Sequence, residues 1–152
     1  MYIKDVIEGY KGKKISIYVD MDGVIADYDV GKPSDYHKKR PLYSNIKLLE
    51  EISKMPNVEM HILSISRMNE GVSQKEEWLD KYAPFFEKDK RNIIPREKND
   101  FTTSIELKVN YMKSVNSSDK VIILIDDDPS ILHALRDEGI DICLLKDTTL
   151  IY

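Results

Sequence analysis

The sequence predicts an α/β fold in which a central parallel sheet is covered by helices on both faces. Two short apolar runs rich in β-branched residues, at 15–19 and 121–125, have the composition of buried parallel strands. After the first run, helical and strand patterns alternate along the chain, as they do where helical crossovers join parallel strands. The 152 residues contain no internal repeat and no linker rich in Pro, Gly or Ser, so we expect a single domain over residues 1–152.

Composition and charge narrow the class of protein. Hydrophobic residues at 41% and charged residues at 33% are typical of a soluble globular chain. The formal net charge of −4 argues against a dedicated nucleic-acid-binding protein, which is usually basic. Residues 1–14 lack the apolar core of a secretory signal, and no apolar run approaches the ~20 residues of a membrane span. We therefore expect a cytoplasmic protein that does not bind membranes.

Two carboxylates follow the first predicted strand. Asp20 and Asp22 come directly after the run at 15–19, and Gly23 indicates that the backbone turns there. In open α/β sheets the ligand crevice lies outside the carboxyl ends of the strands. Two neighbouring carboxylates repel one another unless a proton or a cation lies between them. A hard divalent cation with oxygen ligands, Mg²⁺, is the simplest counter-charge.

The region after this turn is polar and then returns to regular structure. Residues 28–41 predict a loop or a short flap above the strand ends. A helix is then predicted with Ser44 as its N-cap. The apolar run at 58–64 predicts a second strand, which ends in the hydroxyl of Ser64.

The middle of the chain predicts a helix, a short strand and a further helix. Trp78 has helical spacing with its apolar neighbours and is predicted to pack its helix onto the sheet. A short strand is predicted at 92–94. The spacing of Thr103 and Glu106 is that of a capping box, so a helix is predicted there, with Lys108 in its first turn. A cation near a helix N-terminus is unfavourable for the helix dipole, which favours a functional reason for Lys108.

A second acidic cluster follows the run at 121–125. Asp126, Asp127 and Asp128 stand at the end of a buried strand, where three carboxylates are difficult to explain without a cation. Asp128 precedes Pro129 and is predicted to be the N-cap of the next helix. A last strand is predicted at 140–145.

Several of these motifs resemble those of one superfamily. The stretch from Asp20 to Asp27, Asp-Met-Asp-Gly-Val-Ile-Ala-Asp, resembles the first motif of the haloacid-dehalogenase-like (HAD) phosphotransferases. With the following Tyr28, it is particularly similar to the 5'(3')-deoxyribonucleotidase branch. The apolar run that ends in Ser64 resembles the second motif, a hydrophobic strand ending in Ser or Thr. Leu-Ile-Asp-Asp-x-Pro at 124–129 resembles the fourth. The resemblance implies a Rossmannoid three-layer α/β/α sandwich with a minimal cap or none.

The resemblance also implies a reaction and its residues. It implies a phosphomonoester hydrolase in which Asp20 is the nucleophile and forms an aspartyl phosphate, and Asp22 is the general acid and base. Ser64 would bind the phosphoryl group. The charge-balancing lysine of the third motif would be Lys108, with Lys98 as the rival because it follows the third strand more directly.

The same resemblance implies a Mg²⁺ site. Asp20 and the main-chain carbonyl of Asp22 would bind the ion. Asp127 would coordinate it directly, while Asp126 would support it through a water or a hydrogen bond.

Three functions remain open from the sequence. The leading prediction is a nucleotidase-like hydrolase, for which Tyr28, Tyr36 and Tyr43 are candidates to stack on a base, and Arg67 is a candidate to bind phosphate. The stretch at 28–41 is too short for a helical cap, which favours an open-site phosphatase for polynucleotide ends or phosphoprotein, or a site covered by another subunit of a homo-oligomer. The third reading is a non-catalytic phosphate-binding protein of this fold, against which the complete set of motif residues argues.

Overall fold

Five parallel strands form the central sheet, in the order β3-β2-β1-β4-β5. The computed structural model describes residues 2–27, 35–66, 69–96 and 99–150. The strands are β1 (Ile15–Val19), β2 (Val58–Ser66), β3 (Arg91–Pro95), β4 (Val121–Asp126) and β5 (Cys143–Lys146). All four pairings are parallel, which confirms the predicted sheet.

In the described parts of the chain, five α-helices connect and flank these strands. They are α1 (Ile3–Gly9), α2 (Tyr43–Ser53), α3 (Asn69–Tyr82), α4 (Ser104–Val115) and α5 (Pro129–Asp137). After β1, helix and strand alternate to the end of β5, as predicted. Within the described parts of the chain, none of the helices combines the length and the apolar character needed to cross a membrane.

The helices cover both faces of the sheet. Alternate residues of β1 point to opposite faces, so that Ile17 packs into a core with α1, α2 and α3, whereas Tyr18 packs into a second core with α4 and α5. Trp78 is 1% exposed and packs α3 into the first core, as predicted. Two cores on either side of one sheet give the predicted three-layer α/β/α arrangement.

One helix start differs from its prediction, and in a second helix a lysine lies one turn later than predicted. Helix α2 begins at Tyr43 with Leu42 as its N-cap, so the prediction of Ser44 was wrong. The N–H of Leu42 donates to the carbonyl of Ile25 at 2.7 Å, and this tertiary bond fixes where the helix starts. In α4 the predicted capping box at Thr103 is confirmed, but Lys108 lies in the second turn rather than the first.

Candidate active site

Asp20 lies at the carboxyl end of β1, beside the end of β4. Its main-chain N–H donates to the carbonyl oxygen of Ile125 at 3.0 Å, which continues the pairing of the two strands beyond Val19. Asp126, the next residue of β4, is fully buried, and Asp20 is buried as well. Two adjacent strands therefore place two carboxylates at one point on the edge of the sheet.

Lys108 bridges these two carboxylates from helix α4. Its Nζ lies 2.9 Å from Oδ1 of Asp20 and 2.6 Å from Oδ2 of Asp126. The residue is only 4% exposed. Burial alone would lower the pKa of Lys108, but the attraction of the two carboxylates outweighs burial and raises it. Lys108 is thus a charged partner of the predicted nucleophile.

Three carboxylates at this point are close enough to share one cation. One oxygen from each of Asp20, Asp126 and Asp127 lies within 4.8 Å of the other two. Burial raises the pKa of Asp20, and the charge of Asp126 adds to the rise although Lys108 opposes it. A divalent cation would offset this excess of negative charge, and a donor set made of oxygens is the one that Mg²⁺ prefers. The residues therefore fit the predicted metal.

Asp126, at the end of β4, is held by two hydrogen bonds. Both oxygens of Asp126 accept a hydrogen bond, Oδ2 from Lys108 and Oδ1 from the main-chain N–H of Asp128 at 3.0 Å. These partners suit the supporting role predicted for Asp126. Direct coordination by Asp127 stays a prediction. Asp128 is the N-cap of α5, which confirms that part of the sequence analysis.

The turn after β1 brings Asp22 next to a different set of groups. Gly23 has a φ of +83°, a conformation that favours glycine, and its N–H donates to the carbonyl of Ala26 at 2.8 Å. This confirms the predicted turn. Among the described residues, the carboxylates grouped within 4.8 Å do not include that of Asp22. Its predicted contribution to the metal is the main-chain carbonyl oxygen.

Three donors surround the carboxylate of Asp22. The Tyr36 hydroxyl donates to Oδ1 at 2.9 Å, and Lys39 Nζ donates to the same oxygen at 2.6 Å. Lys75 Nζ lies 3.5 Å from Oδ2. Burial alone would raise the pKa of Asp22, but the two ammonium groups and the hydroxyl outweigh it and lower the pKa. These groups therefore favour the ionised form of Asp22.

Lys75 also contacts Ser64, the residue of the predicted second motif. Its Nζ donates to Ser64 Oγ at 2.6 Å and to the carbonyl of Ile65 at 2.9 Å. Helix α3 approaches β2 closely at Gly71, where an added Cβ would lie 2.2 Å from Ser66 Oγ. Lys75 and Ser64 are 5% and 1% exposed, so both polar groups are buried in the same wall of the site.

The segment that supplies Tyr36 and Lys39 is docked on α3. The main-chain N–H of Tyr36 donates to Gln74 Oε1 at 3.3 Å, and its ring packs edge-on against Trp78. The indole N–H of Trp78 donates to the carbonyl of Lys39 at 3.1 Å. His37 forms a close ion pair with Glu77. The described part of the predicted flap, residues 35–41, thus forms one side of the site.

Sequence reasoning missed three residues around Asp22. The clearest missed signal is Lys75, a lysine in line with Val72 and Leu79 on the apolar face of α3. The sequence predicts Tyr36 only as a candidate for base stacking, and Lys39 only as part of the polar segment at 28–41. Tyr43 is 68% exposed. Other sequence candidates, Tyr28, Arg67 and Lys98, lie outside the described residues.

Several solved structures have a similar fold. A chain of the Pnkp1/Rnl/Hen1 complex matches 90% of this chain at 17% identity, with a TM-score of 0.69, over 46% of its own length. The HAD domain of the effector protein Lem4 from Legionella pneumophila matches 88% of this chain and 84% of its own at 16% identity, with a TM-score of 0.54. The N-terminal part of BF1531 from Bacteroides fragilis, which contains a phosphatase domain complexed with Mg, matches 93% of this chain and 38% of its own at 15% identity, with a TM-score of 0.57.

These similarities establish the fold. The chain has the HAD-like α/β fold that the sequence predicted. No family model matches the chain, and no curated protein matches it. The chain spans less than half the length of the chain that it matches in the Pnkp1/Rnl/Hen1 complex. The narrower resemblance to the 5'(3')-deoxyribonucleotidase branch stays a prediction.

Proposed function

We propose that the chain is a Mg²⁺-dependent phosphomonoester hydrolase that acts through an aspartyl phosphate at Asp20. One observation carries the proposal: Asp20 stands at the end of β1 with Lys108 2.9 Å from its oxygen, in a group of carboxylates with Asp126 and Asp127. The similarity in fold to a phosphatase domain complexed with Mg supports it.

The metal site uses residues from the ends of β1 and β4. Asp20, Asp127 and the main-chain carbonyl of Asp22 would hold Mg²⁺, and Asp126 would support them through Lys108 and Asp128. When bound, the ion supplies Lewis-acid stabilisation of the charge on the phosphoryl oxygens.

In the first step Asp20 acts as the nucleophile. A carboxylate oxygen of Asp20 forms a bond to phosphorus while the bond from phosphorus to the leaving oxygen breaks. The leaving oxygen takes a proton from Asp22. Because the surrounding donors favour the ionised form of Asp22 by lowering its pKa, it must first take up that proton from solvent. The negative charge of an incoming phosphoryl group raises the pKa of Asp22 and so favours this uptake.

In the second step the aspartyl phosphate is hydrolysed. Asp22 is a carboxylate once it has given its proton to the leaving oxygen, and it accepts a proton from the water that attacks the phosphorus. The bond to the Asp20 oxygen breaks, inorganic phosphate leaves, and Asp20 is restored. A general base two residues after the nucleophile favours transfer of the phosphoryl group to water.

For the substrate, we propose a nucleotide-like phosphomonoester. The Tyr36 ring lies beside the site but is buried against Trp78, with its hydroxyl on Asp22. Base stacking by Tyr36 therefore requires the flap to move. Tyr43 is exposed, and its ring lies edge-on against Tyr82 in the last turn of α3, away from Lys75.

A second candidate substrate is the phosphorylated end of a polynucleotide. Similarity in fold to a chain of the Pnkp1/Rnl/Hen1 RNA repair complex favours it. Between β1 and α2 the described residues form the turn after Asp22, a bridge between Ala26 and Pro41, and the short 3-10 helix Tyr36–Lys38. The stretch at 28–41 is too short for a helical cap, and a site without such a cap suits a long substrate.

The test is phosphate release from a panel, with Mg²⁺ and with chelator. The panel contains deoxyribonucleotides, ribonucleotides, sugar phosphates, a phosphorylated oligonucleotide and a phosphopeptide. We expect Mg²⁺-dependent release from at least one class of nucleotide substrate. Release from the oligonucleotide alone would select the second candidate, and release from the phosphopeptide alone would contradict both nucleotide classes.

Asp20→Asn tests the nucleophile. We expect kcat to fall by roughly 10³-fold or more, because a carboxamide cannot form the acyl phosphate. Circular dichroism should show a retained fold. The matched control is Asp119→Asn, an exposed residue that precedes β4 at the opposite end of the sheet. An Asp20→Asn protein with the turnover of the control would refute the assignment.

A further inference from the structure

Two buried lysines reach the candidate site, and their partners differ. Lys108 has two carboxylates within 2.9 Å. The two short contacts of Lys75 are to uncharged acceptors, Ser64 Oγ at 2.6 Å and the carbonyl of Ile65 at 2.9 Å. Among the described residues, its nearest carboxylate oxygen belongs to Asp22 and is 3.5 Å away. Of the two buried lysines that the structure describes, Lys75 is the one without a short ion pair.

Asp22 is held by groups other than Lys75. Its Oδ1 accepts from Lys39 at 2.6 Å and from Tyr36 at 2.9 Å. These short contacts orient the carboxylate toward the flap, while the Lys75 contact is at the limit of a hydrogen bond. A buried ammonium is stabilised by an anion in good geometry. An anion that enters the site would be a closer partner for Lys75 than Asp22 is.

Lys75 also determines how Ser64 can bind a ligand. A lysine ammonium can only donate, so Ser64 Oγ must accept the hydrogen bond from Lys75. The hydroxyl of Ser64 then keeps its own hydrogen for donation to another oxygen. The pair thus offers two adjacent donors, one of them charged, on β2 beside the nucleophile strand β1.

We propose that Lys75 is a phosphoryl-binding residue, whose ammonium acts with the Ser64 hydroxyl to hold the oxygens of the phosphoryl group that Asp20 attacks. This inference rests on the proposed function. It adds a second lysine to Lys108, which the sequence motifs provide, and it gives the two lysines different roles. Lys108 orders Asp20 and Asp126, and Lys75 contacts the substrate.

The direct test measures binding of inorganic phosphate in the presence of Mg²⁺ by calorimetry. Lys75→Gln keeps a side chain that can donate to Ser64 and Ile65 but removes the charge. Lys75→Met removes both, and Lys75→Arg keeps the charge. The matched control is Lys81→Met, an exposed lysine in the last turn of the same helix.

We expect Lys75→Gln and Lys75→Met to weaken phosphate binding by roughly 10- to 100-fold, the loss of one charge-assisted hydrogen bond. Their KM for the best substrate of the panel should rise together with a fall in kcat. Lys75→Arg should recover part of the affinity, and Lys81→Met should bind phosphate as the unchanged protein does. A purely structural role would lower thermal stability without changing the dissociation constant for phosphate.

Binding of phosphate by Lys75→Gln with unchanged affinity would overturn the proposal, as would a wild-type protein that does not bind phosphate. If Lys75→Met fails to fold, Lys75→Gln and Lys75→Arg carry the comparison. The result can be separated from the hydrolase function because binding is measured without turnover. A wild-type protein that binds phosphate but releases none from the panel would overturn the hydrolase, whereas weaker binding by Lys75→Gln would still support the role of Lys75.

Discussion

The two sides of the candidate site use the same residue type in opposite ways. We call the group of Asp20, Asp126 and Asp127 the carboxylate side; there Lys108 lies between Asp20 and Asp126. We call the part of the site around Ser64 and Asp22 the hydroxyl side; there Lys75 lies against Ser64, with Asp22 further away. Both lysines are buried to a similar extent. Their difference lies in the partners, since only Lys108 is fully paired with short carboxylate contacts.

Because of these partners, the pKa values of the two lysines shift in opposite directions. Burial lowers the pKa of Lys75, and the attraction of Asp22 and Asp20 only partly restores it. For Lys108 the attraction of two carboxylates exceeds the effect of burial, and the pKa is raised. A lysine whose charge is already balanced by short carboxylate contacts holds those carboxylates in place. A lysine whose charge is not balanced in this way is suited to bind an anion from solution.

A third buried cation supports this distinction. Arg91 on β3 donates to Glu76 at 2.8 Å and to Asp80 at 2.7 Å, both on α3, and to the carbonyl of Phe86 at 2.8 Å. These contacts attach α3 to the edge of the sheet and do not involve the site residues. Where this helix holds a cation for structural reasons, it supplies carboxylates at short distance. Lys75 on the same helix has no such short carboxylate among the described residues.

The largest expected effect is that of Lys108→Met. It leaves two buried carboxylates without their cation, and we expect the free energy of unfolding to fall by roughly 3–5 kcal/mol, the usual effect of breaking a buried ion pair. Turnover should also be lost, because Asp20 would favour its protonated form. Urea unfolding with and without Mg²⁺ measures the effect, and Mg²⁺ should restore part of the stability.

The control for Lys108→Met lies on the same helix. Lys113 forms an exposed ion pair with Glu138 at 3.0 Å, and Lys113→Met should change stability by less than about 1 kcal/mol. An unfolding free energy for Lys108→Met equal to that of the control would contradict the description of Lys108 as a fully paired cation.

The sequence predicted the carboxylate side well. A buried strand that ends in Asp20, and another that ends in Asp126 and Asp127, can be recognised because strand composition and acidic residues are local features. Parallel strands then bring their carboxyl ends together without further information. Lys108 follows from the resemblance to the third motif, and the capping box places it near the start of α4, in the second turn rather than the predicted first.

The hydroxyl side was predicted only in part, because its geometry depends on tertiary docking. Ser64 follows from the strand pattern. Tyr36 and Lys39 reach Asp22 because their segment packs on Trp78. This contact cannot be predicted from a local sequence pattern. Lys75 interrupts the apolar face of α3, and this is a signal that the sequence alone contains. Its partner, Ser64, can be identified only when the position of the neighbouring strand β2 is known.

A smaller effect is expected from Tyr36→Phe, which tests the hydroxyl side. The variant removes the donor at 2.9 Å from Asp22 and keeps the ring that packs on Trp78. We expect kcat to fall by roughly 3- to 10-fold, which corresponds to the net contribution of one hydrogen bond. Stability should change by no more than about 1 kcal/mol.

The control is Tyr43→Phe, since Tyr43 is exposed and its ring contact, which Phe keeps, is with Tyr82. Steady-state kinetics on the same substrate compares the two variants. Equal kcat values for Tyr36→Phe and Tyr43→Phe would show that the hydroxyl contact does not position Asp22 for the reaction.

The smallest expected effect is a pH dependence of the flap. The hydrogen bond to Glu77 raises the pKa of His37, and Asp35 adds to the rise through a contact of 2.7 Å. Because the pKa is higher in the folded state, this contribution to stability is fully present below the ordinary value of 6.5 and is lost as pH rises through the folded value. The midpoint of thermal unfolding for the wild type should therefore exceed that of His37→Gln at about pH 5.5, and the gap should close at about pH 8.5, well above the ordinary histidine range.

The same substitution compares the two sides of the site. His37 attaches the segment that carries Tyr36 and Lys39 to α3, so its loss should affect Asp22 rather than Asp20. The control is His133→Gln, because His133 is an exposed residue of α5. A gap that does not depend on pH, or that His133→Gln reproduces, would contradict the assignment. If His37→Gln also lowers kcat more at about pH 5.5 than at about pH 8.5, docking of the flap on charged His37 contributes to the geometry of the hydroxyl side.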